Sequence, residues 1–450
     1  MKRRKFIENS TKVVAATTVL PLNSMAKNSV SARAEQKLKV VLVGTGSRGS
    51  SAWGRSLLEG YSKWVEMVGL CDINHKRAEY AKKYMGAENA KTYEAKDFDL
   101  MIKETQPDVV IVTTTDHFHV DYIVRAMELG VDVISEKPIA TEVEQCQRIL
   151  DTEFKTGRKV TVGFNMRFMN MSPEIKRVLD SGELGKIISV DFQEYLDLDH
   201  GSSYFRRWHG KIKYSGSLLV HKASHHFDLV NWYLGADPVE VQAMGKVAYY
   251  GKNHSFRGRN CRSCAFTDKC KMYWDITKSE RMMDLYVKCE DVDGYFRDGC
   301  VWDNDIDTYD VTTTQVVYDN GTLLTYTQNT NLAYEGQYIS FTGENGRMDV
   351  RLYNRQPWEE PAPIEIRISK DTKTTKLYTI DNDKGNHGGA DKKVKDLIFD
   401  PEKKDNLRQR AGSRAGVMAS LIGIAARQSI ETGEKVEIKD LVEFPTTWQG

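Results

Sequence analysis

Two clusters of side chains in this sequence could move protons and stabilise charge. The segment His221-Lys222-Ala223-Ser224-His225-His226-Phe227-Asp228 holds three histidines and a lysine within six residues. On a helix, His221, His225 and Asp228 share one face at i, i+4 and i+7, with Lys222 and His226 on the next stripe. Packed structural histidines are the plain alternative, but titratable groups this dense point to a site in which a neutral imidazole takes the proton of an alcohol. The His221/His225 pair could also ligate a metal, yet no HExxH glutamate accompanies it. In Glu136-Lys137-Pro138 the proline fixes a turn, and the Lys137 amine can stabilise an alkoxide, its pKa lowered by nearby cations. Upstream of the histidines, the stretch Tyr204–His209, with Arg207, Trp208 and His209, could stack on and hydrogen-bond a sugar; core aromatics with surface arginines is the alternative. His387, in a glycine-rich turn, is a further candidate for the substrate pocket.

Hydride chemistry needs a redox cofactor, and the elements that position these groups supply a place for one. Leu38–Gly44 (LKVVLVG) is a continuous apolar run, the pattern of a buried parallel strand. Gly44-Thr45-Gly46-Ser47-Arg48-Gly49 follows, and then a helical stretch over 51–59. Gly44 serves the tight turn, Gly46 the approach of a pyrophosphate, and Gly49 close helix–strand packing. A second apolar strand, Val65–Cys71, delivers Asp72 where a carboxylate would bind adenosine ribose hydroxyls. Asp72 favours NAD over NADP, although Arg77 nearby leaves NADP open. Strand Asp108–Thr114, helix Asp121–Gly130 and strand Val131–Ser135 continue the alternation of a doubly wound sheet. The loop containing Thr114, His117 and His119 leaves the carboxyl end of one strand, and Glu136-Lys137 the end of the next, where such folds bind ligands.

At this point the chain resembles the Gfo/Idh/MocA family, named for glucose–fructose oxidoreductase and inositol dehydrogenase. The resemblance rests on the glycine loop, Asp72, the loop with His119 and Glu136-Lys137-Pro138. It extends to Val162–Phe168 with Asn165 and Arg167, Gly182–Gly185, His225-x-x-Asp228 and Gly343–Asp349. It implies a Rossmann domain (35–163) followed by an α+β domain (164–450) whose open, mostly antiparallel sheet carries substrate contacts and joins copies into a homo-oligomer. It places the substrate and nicotinamide contact on Lys137 and the acid/base role on His225, and it brings Ser47, Arg48, Thr114, His117 and Glu136 to the cofactor. Lys222, Asn165 and Arg167 fall on the substrate side. Many dehydrogenases of the family carry aspartate four residues before that histidine; here His221 stands there.

Lys plus Arg number 64 and Asp plus Glu 63, so no charge field draws the chain to nucleic acid or to an anionic membrane. Residues 1–34 run from paired arginines, Arg3 and Arg4, through a short apolar stretch to small residues, the order of a twin-arginine export signal to the periplasm. The apolar stretch is too short for a membrane anchor. Outside the cytoplasm a nicotinamide enzyme has no pool to recycle its cofactor, so NAD is expected to stay tightly bound. Cys71 and Cys146 read as packed thiols. In an insertion over 245–303, Cys261, Cys264 and Cys270 form a knuckle pattern with Cys289, Cys300 or His254 as a fourth ligand; a structural metal, disulfides and free thiols all remain open. Alternating segments after residue 309 and a helix over 414–432 complete the second domain.

The leading expectation is an NAD-dependent oxidoreductase acting on a secondary hydroxyl of a sugar or glycoside. The same opening step would serve a redox-neutral glycosidase that oxidises C3 and eliminates the aglycone. A non-catalytic dinucleotide- or sugar-binding protein is the alternative of another class.

Overall fold

The computed structural model describes residues 37–358, 364–381 and 386–445. The expected export segment lies outside them, as does the side chain of His387. Strands β1 (Leu38–Val43), β2 (Val65–Asp72), β3 (Lys91–Glu94), β4 (Val109–Val112), β5 (Asp132–Ser135) and β6 (Val160–Val162) run parallel in the order β6-β5-β4-β1-β2-β3. Ala411–Gly412 adds an antiparallel edge to β6. The central strands are covered on both faces, which is why Val40–Val43 of β1 and all of β4 are apolar without alternation. The expected helix after the glycine loop begins early, at Gly49, as a π-turn (Gly49–Arg55) running into an α-helix (Ser56–Tyr61).

The second sheet contains β7 (Ile187–Asp197), β8 (Pro238–Lys246), β9 (Val311–Tyr318), β10 (Leu323–Leu332), β11 (Glu335–Gly343), β12 (Gly346–Arg355), β13 (Ile364–Ser369) and β14 (Thr375–Ile380). Their order is β14-β13-β12-β11-β7-β10-β9-β8, with Val436–Glu437 beyond β8. Among the described residues only the β7–β10 pairing of this sheet is parallel, so the sheet is mostly antiparallel. One face is packed, and the sequence alternates accordingly: in β13, Ile364, Ile366 and Ile368 are buried while Arg367 faces out. The helix Ser413–Thr432 lies over β8 and over the histidine-bearing segments. At Gly423 an added Cβ would stand 2.4 Å from the Leu219 carbonyl oxygen, so glycine lets the helix press against the backbone that carries His221.

The single histidine helix expected from spacing is broken. Leu218–His221 and Ser224–Leu234 are separate helical segments with a turn at Lys222–Ala223. The i, i+4, i+7 stripe therefore dissolves, and His221, His225 and Asp228 take different surroundings.

Candidate active site

A cavity of about 1240 Å³ opens at the carboxyl ends of the parallel strands and extends to the second sheet. It is large enough for a dinucleotide and a small substrate together, since single-ligand pockets measure about 300–1,000 Å³. The glycine loop forms one end. Gly44 has φ +88°, and a Cβ there would lie 2.7 Å from the Thr113–Thr114 backbone; a Cβ on Gly49 would lie 2.1 Å from the Gly44 carbonyl oxygen. Neither position admits a side chain, so both glycines serve the tight strand–loop–helix packing of a dinucleotide-binding turn, while Gly46 faces the open side of the loop.

Asp72 lines the cavity as expected, but its carboxylate is also tied to the loop. Oδ2 accepts the Thr45 N–H at 2.7 Å and the Thr45 hydroxyl at 2.8 Å, while Oδ1 accepts the Asn74 N–H at 2.8 Å. Other expected cofactor residues prove to be braces. Arg48 pairs with Glu136 at 2.6 Å and with Asp391 at 2.7 Å; Glu136 also accepts the Trp53 indole N–H at 2.6 Å. Asn165 donates to Asp391 at 2.7 Å, so Arg48, Glu136 and Asn165 line the cavity while their charged or amide groups clamp the glycine helix to the Glu136–Lys137 turn. Against the burial that favours a neutral carboxyl, Arg48 and Trp53 hold Glu136 low. Thr114 and His119 also line the cavity; the His119 ring sits between the carbonyls of Pro138 (2.8 Å) and Thr114 (3.1 Å). His117 does not reach the cavity: its ring meets the Thr141 hydroxyl at 3.2 Å, and its carbonyl accepts the Gln145 amide at 3.0 Å.

At the other end, Lys137, His221, Lys222 and His225 line one wall. Lys137 donates to the His221 carbonyl at 2.7 Å. Burial lowers its pKa to about 8, against the opposing pull of Asp116 and Glu136. His221 Nδ1 lies 2.6 Å from Asp116 Oδ2. Burial, with Lys137 and His209 adding to it, holds His221 well below the ordinary imidazole value, while burial pushes Asp116 up. With Asp116 accepting as carboxylate, a neutral His221 donates from Nδ1 and leaves Nε2 with its lone pair. The Lys222 ammonium lies 3.1 Å from Glu194, which outweighs burial and keeps it charged.

Trp208 stacks on His209 at 3.5 Å, and His209 meets His221 edge-on at 4.2 Å. Arg207 joins them, its pKa lowered to about 10 by burial and by Arg297. The expected sugar-facing trio is thus brought together. Arg167 is not part of it. It forms a buried bidentate pair with Asp228 at 2.6 and 2.7 Å, so the aspartate of His225-x-x-Asp228 anchors an arginine rather than assisting a histidine. His226 is fully buried, 2.9 Å from the Tyr326 hydroxyl and stacked on Phe192, and has a packing role.

The cysteines divide as well. Cys261, Cys264, Cys270 and Cys300 line one small apolar cavity with Met272 and Trp302. Cys289 is elsewhere, its thiol donating to the Asp284 carbonyl at 3.3 Å, which removes it as the fourth ligand of a knuckle. Among the described residues no cysteine is paired, and no group of three or more His, Cys, Asp or Glu is gathered to hold a metal, at the histidines or here.

Residues 38–164 match the description of an oxidoreductase family with an NAD-binding Rossmann fold, and residues 176–438 match its C-terminal alpha/beta domain. The chain belongs to the Gfo/Idh/MocA oxidoreductase family. A candidate oxidoreductase of Bacillus subtilis, YteT, is 33% identical over 429 residues, covering 90% of this chain and 99% of its own. An inositol 2-dehydrogenase of Salmonella typhimurium is 32% identical over 202 residues, covering 44% of this chain and 55% of its own. Among solved structures, an Agrobacterium radiobacter oxidoreductase in complex with NAD+, L-tartaric acid and magnesium superposes with a TM-score of 0.64 at 16% identity, over 90% of this chain and 100% of that one. The aldose–aldose oxidoreductase of Caulobacter crescentus, complexed with glycerol, gives 0.60 at 15%, over 89% and 100%. At those identities the structures show a shared fold. This member of the family is an enzyme with a Rossmann domain for NAD.

Sequence reasoning missed Asp116, although it stands in the loop between Thr114 and His117, because its partner His221 is 105 residues away. It also missed Glu194 and a group from the insertion, Tyr286, Asp293 and Tyr295, all of which line the cavity. No local pattern marks them.

Proposed function

We propose that this family member oxidises a secondary hydroxyl of a sugar or glycoside. The observation that carries this reading is the Asp116–His221 pair beside Lys137, on the cavity shared with the glycine loop. Bound NAD supplies the hydride acceptor. Lys137 binds the reacting oxygen and stabilises the developing alkoxide. His221, oriented through Nδ1 by Asp116, takes the hydroxyl proton at Nε2. His225, where the family resemblance places the acid/base, holds a neighbouring hydroxyl from the same wall. Trp208, Arg207, His209 and Lys222 give the stacking face and donors that a polyhydroxylated ring needs. The names of the inositol dehydrogenase and aldose oxidoreductase relatives support a polyol or sugar substrate.

The test compares His221→Asn with His225→Asn. His221→Asn is expected to slow cofactor reduction by about 10²–10⁴-fold at saturating substrate, whereas His225→Asn chiefly raises KM. The reverse pattern would return the proton to His225. Incubating the enzyme with a panel of free sugars and glycosides distinguishes the net reaction: accumulating NADH marks a dehydrogenase, and aglycone release without it marks the redox-neutral glycosidase. The twin-arginine-type start supports a periplasmic enzyme that retains its NAD, checked by N-terminal sequencing of the native protein from that compartment. No helix among the described residues is long and apolar enough to cross a membrane. Copies are expected to join through the second sheet, so light scattering should return a multiple of the chain mass.

A further inference from the structure

The insertion between β8 and β9 does not stand apart from the cofactor site. Its segment 281–295 is stitched to the loop and strand end that flank the adenosine side. The Tyr286 hydroxyl accepts the Ser47 N–H at 2.8 Å, and Arg281 donates to the Ser47 carbonyl at 3.2 Å and the Ser50 hydroxyl at 3.3 Å. Beyond β2, the Asn74 amide donates to the Cys289 carbonyl at 2.8 Å, and Lys76 pairs with Asp291 at 2.6 Å. Arg77 pairs with Asp293 at 2.7 Å and reaches Asp72 at 3.2 Å.

We propose that this segment is a built-in cover that retains NAD in the enzyme and, through Asp293, excludes NADP. Exclusion of NADP is electrostatic. A 2′-phosphate is accommodated where an arginine near the end of the second strand is free to meet it. Arg77 has the right place, five residues after Asp72, but it is 7% exposed and its guanidinium is engaged by two carboxylates. A phosphate arriving there would have to displace Asp293 and would lie beside Asp72, both negatively charged. An uncharged ribose hydroxyl meets no such obstacle. Retention of NAD is geometric. Tyr286 and Arg281 bind the same loop that cradles the pyrophosphate, and the Asn74, Lys76 and Arg77 contacts hold the other margin, so cofactor exchange requires several of these links to part together. This inference rests on NAD being the cofactor and not on the identity of the substrate.

The test reads binding rather than turnover. Full-length protein is purified by gel filtration, denatured, and its released nucleotide quantified; stripped protein is then titrated with NAD and NADP by calorimetry. The parent is expected to retain NAD and to bind it in preference to NADP. Asp293→Ser is expected to raise NADP affinity about ten-fold or more, with NAD affinity changed much less. Tyr286→Phe combined with Arg281→Ala should speed exchange of bound NAD against isotopically labelled NAD by a similar factor. Asp293→Asn, which keeps the side chain's shape, repeats the first comparison if the serine variant fails to fold. Parent enzyme that loses NAD on gel filtration would overturn retention. An unchanged NAD-to-NADP preference in folded Asp293 variants would overturn the selectivity. Either result would leave the sugar-oxidising reading standing, and a failure to find a sugar substrate would leave these outcomes intact.

Discussion

An imidazole at position 221 needs something to fix its tautomer, and Asp116 is the residue that does so. Asp116→Asn keeps the shape of the carboxyl but removes its preference for an N–H partner. It is therefore expected to lower the rate of cofactor reduction by about 10²–10⁴-fold, with NAD affinity unchanged in a direct titration. An unaltered rate would remove His221 from the proton path. Lys137 sets the pH dependence. Its ammonium form is the one that stabilises an alkoxide, and its pKa is lowered to about 8, so the reduction rate should fall as pH rises through that value. His221 titrates well below its ordinary range, so no acid limb is expected near the usual imidazole pKa. Lys137→Arg, whose charge persists, should lose the alkaline limb while retaining part of the rate; a limb that stays in place would show that another group titrates.

Elements made by local patterning were legible, and elements made by distant pairing were not. The apolar run into Gly44, the alternation of strands and helices up to Lys137, and the polar–apolar alternation of β9–β12 follow from periods of two and 3.6 residues acting over short stretches. The histidine helix looked continuous by the same rule, but its break at Lys222–Ala223 follows from surroundings the period cannot register. Lys222 reaches Glu194 on β7, while His221 turns to Asp116. Arg167 and Asp228 are likewise 61 residues apart, and nothing near either one announces the pair. That pair gives a prediction of its own. Asp228→Ala leaves a buried guanidinium without its carboxylate and should cost about 3–5 kcal/mol in urea denaturation. A loss below about 1 kcal/mol would mean that the arginine finds another partner. At the glycine loop, Gly49→Ala drives a methyl into the Gly44 carbonyl, and NAD binding should be lost in a calorimetric titration of the folded variant.

The whole molecule explains why residues from many separate stretches of sequence serve one cavity. The parallel sheet offers its carboxyl ends, the second sheet contributes Glu194, and the segment 386–399 returns to place Asp391 against Arg48. The insertion was readable as cysteine-rich, but not as a neighbour of the cofactor, because its contacts to Ser47 and Asn74 span 239 and 215 residues. The central claim is that a sugar carbinol hydrogen leaves as hydride to NAD held in this cavity. The most direct measurement mixes NAD-loaded enzyme with a sugar or glycoside found active in the panel, once with hydrogen and once with deuterium at the carbinol carbon, and follows the near-ultraviolet band of reduced nicotinamide in a single turnover. For hydride transfer to NAD the band is expected to rise, more slowly with deuterium, and more slowly still in Asp116→Asn. Conversion of the sugar with no reduced nicotinamide at any time would contradict it.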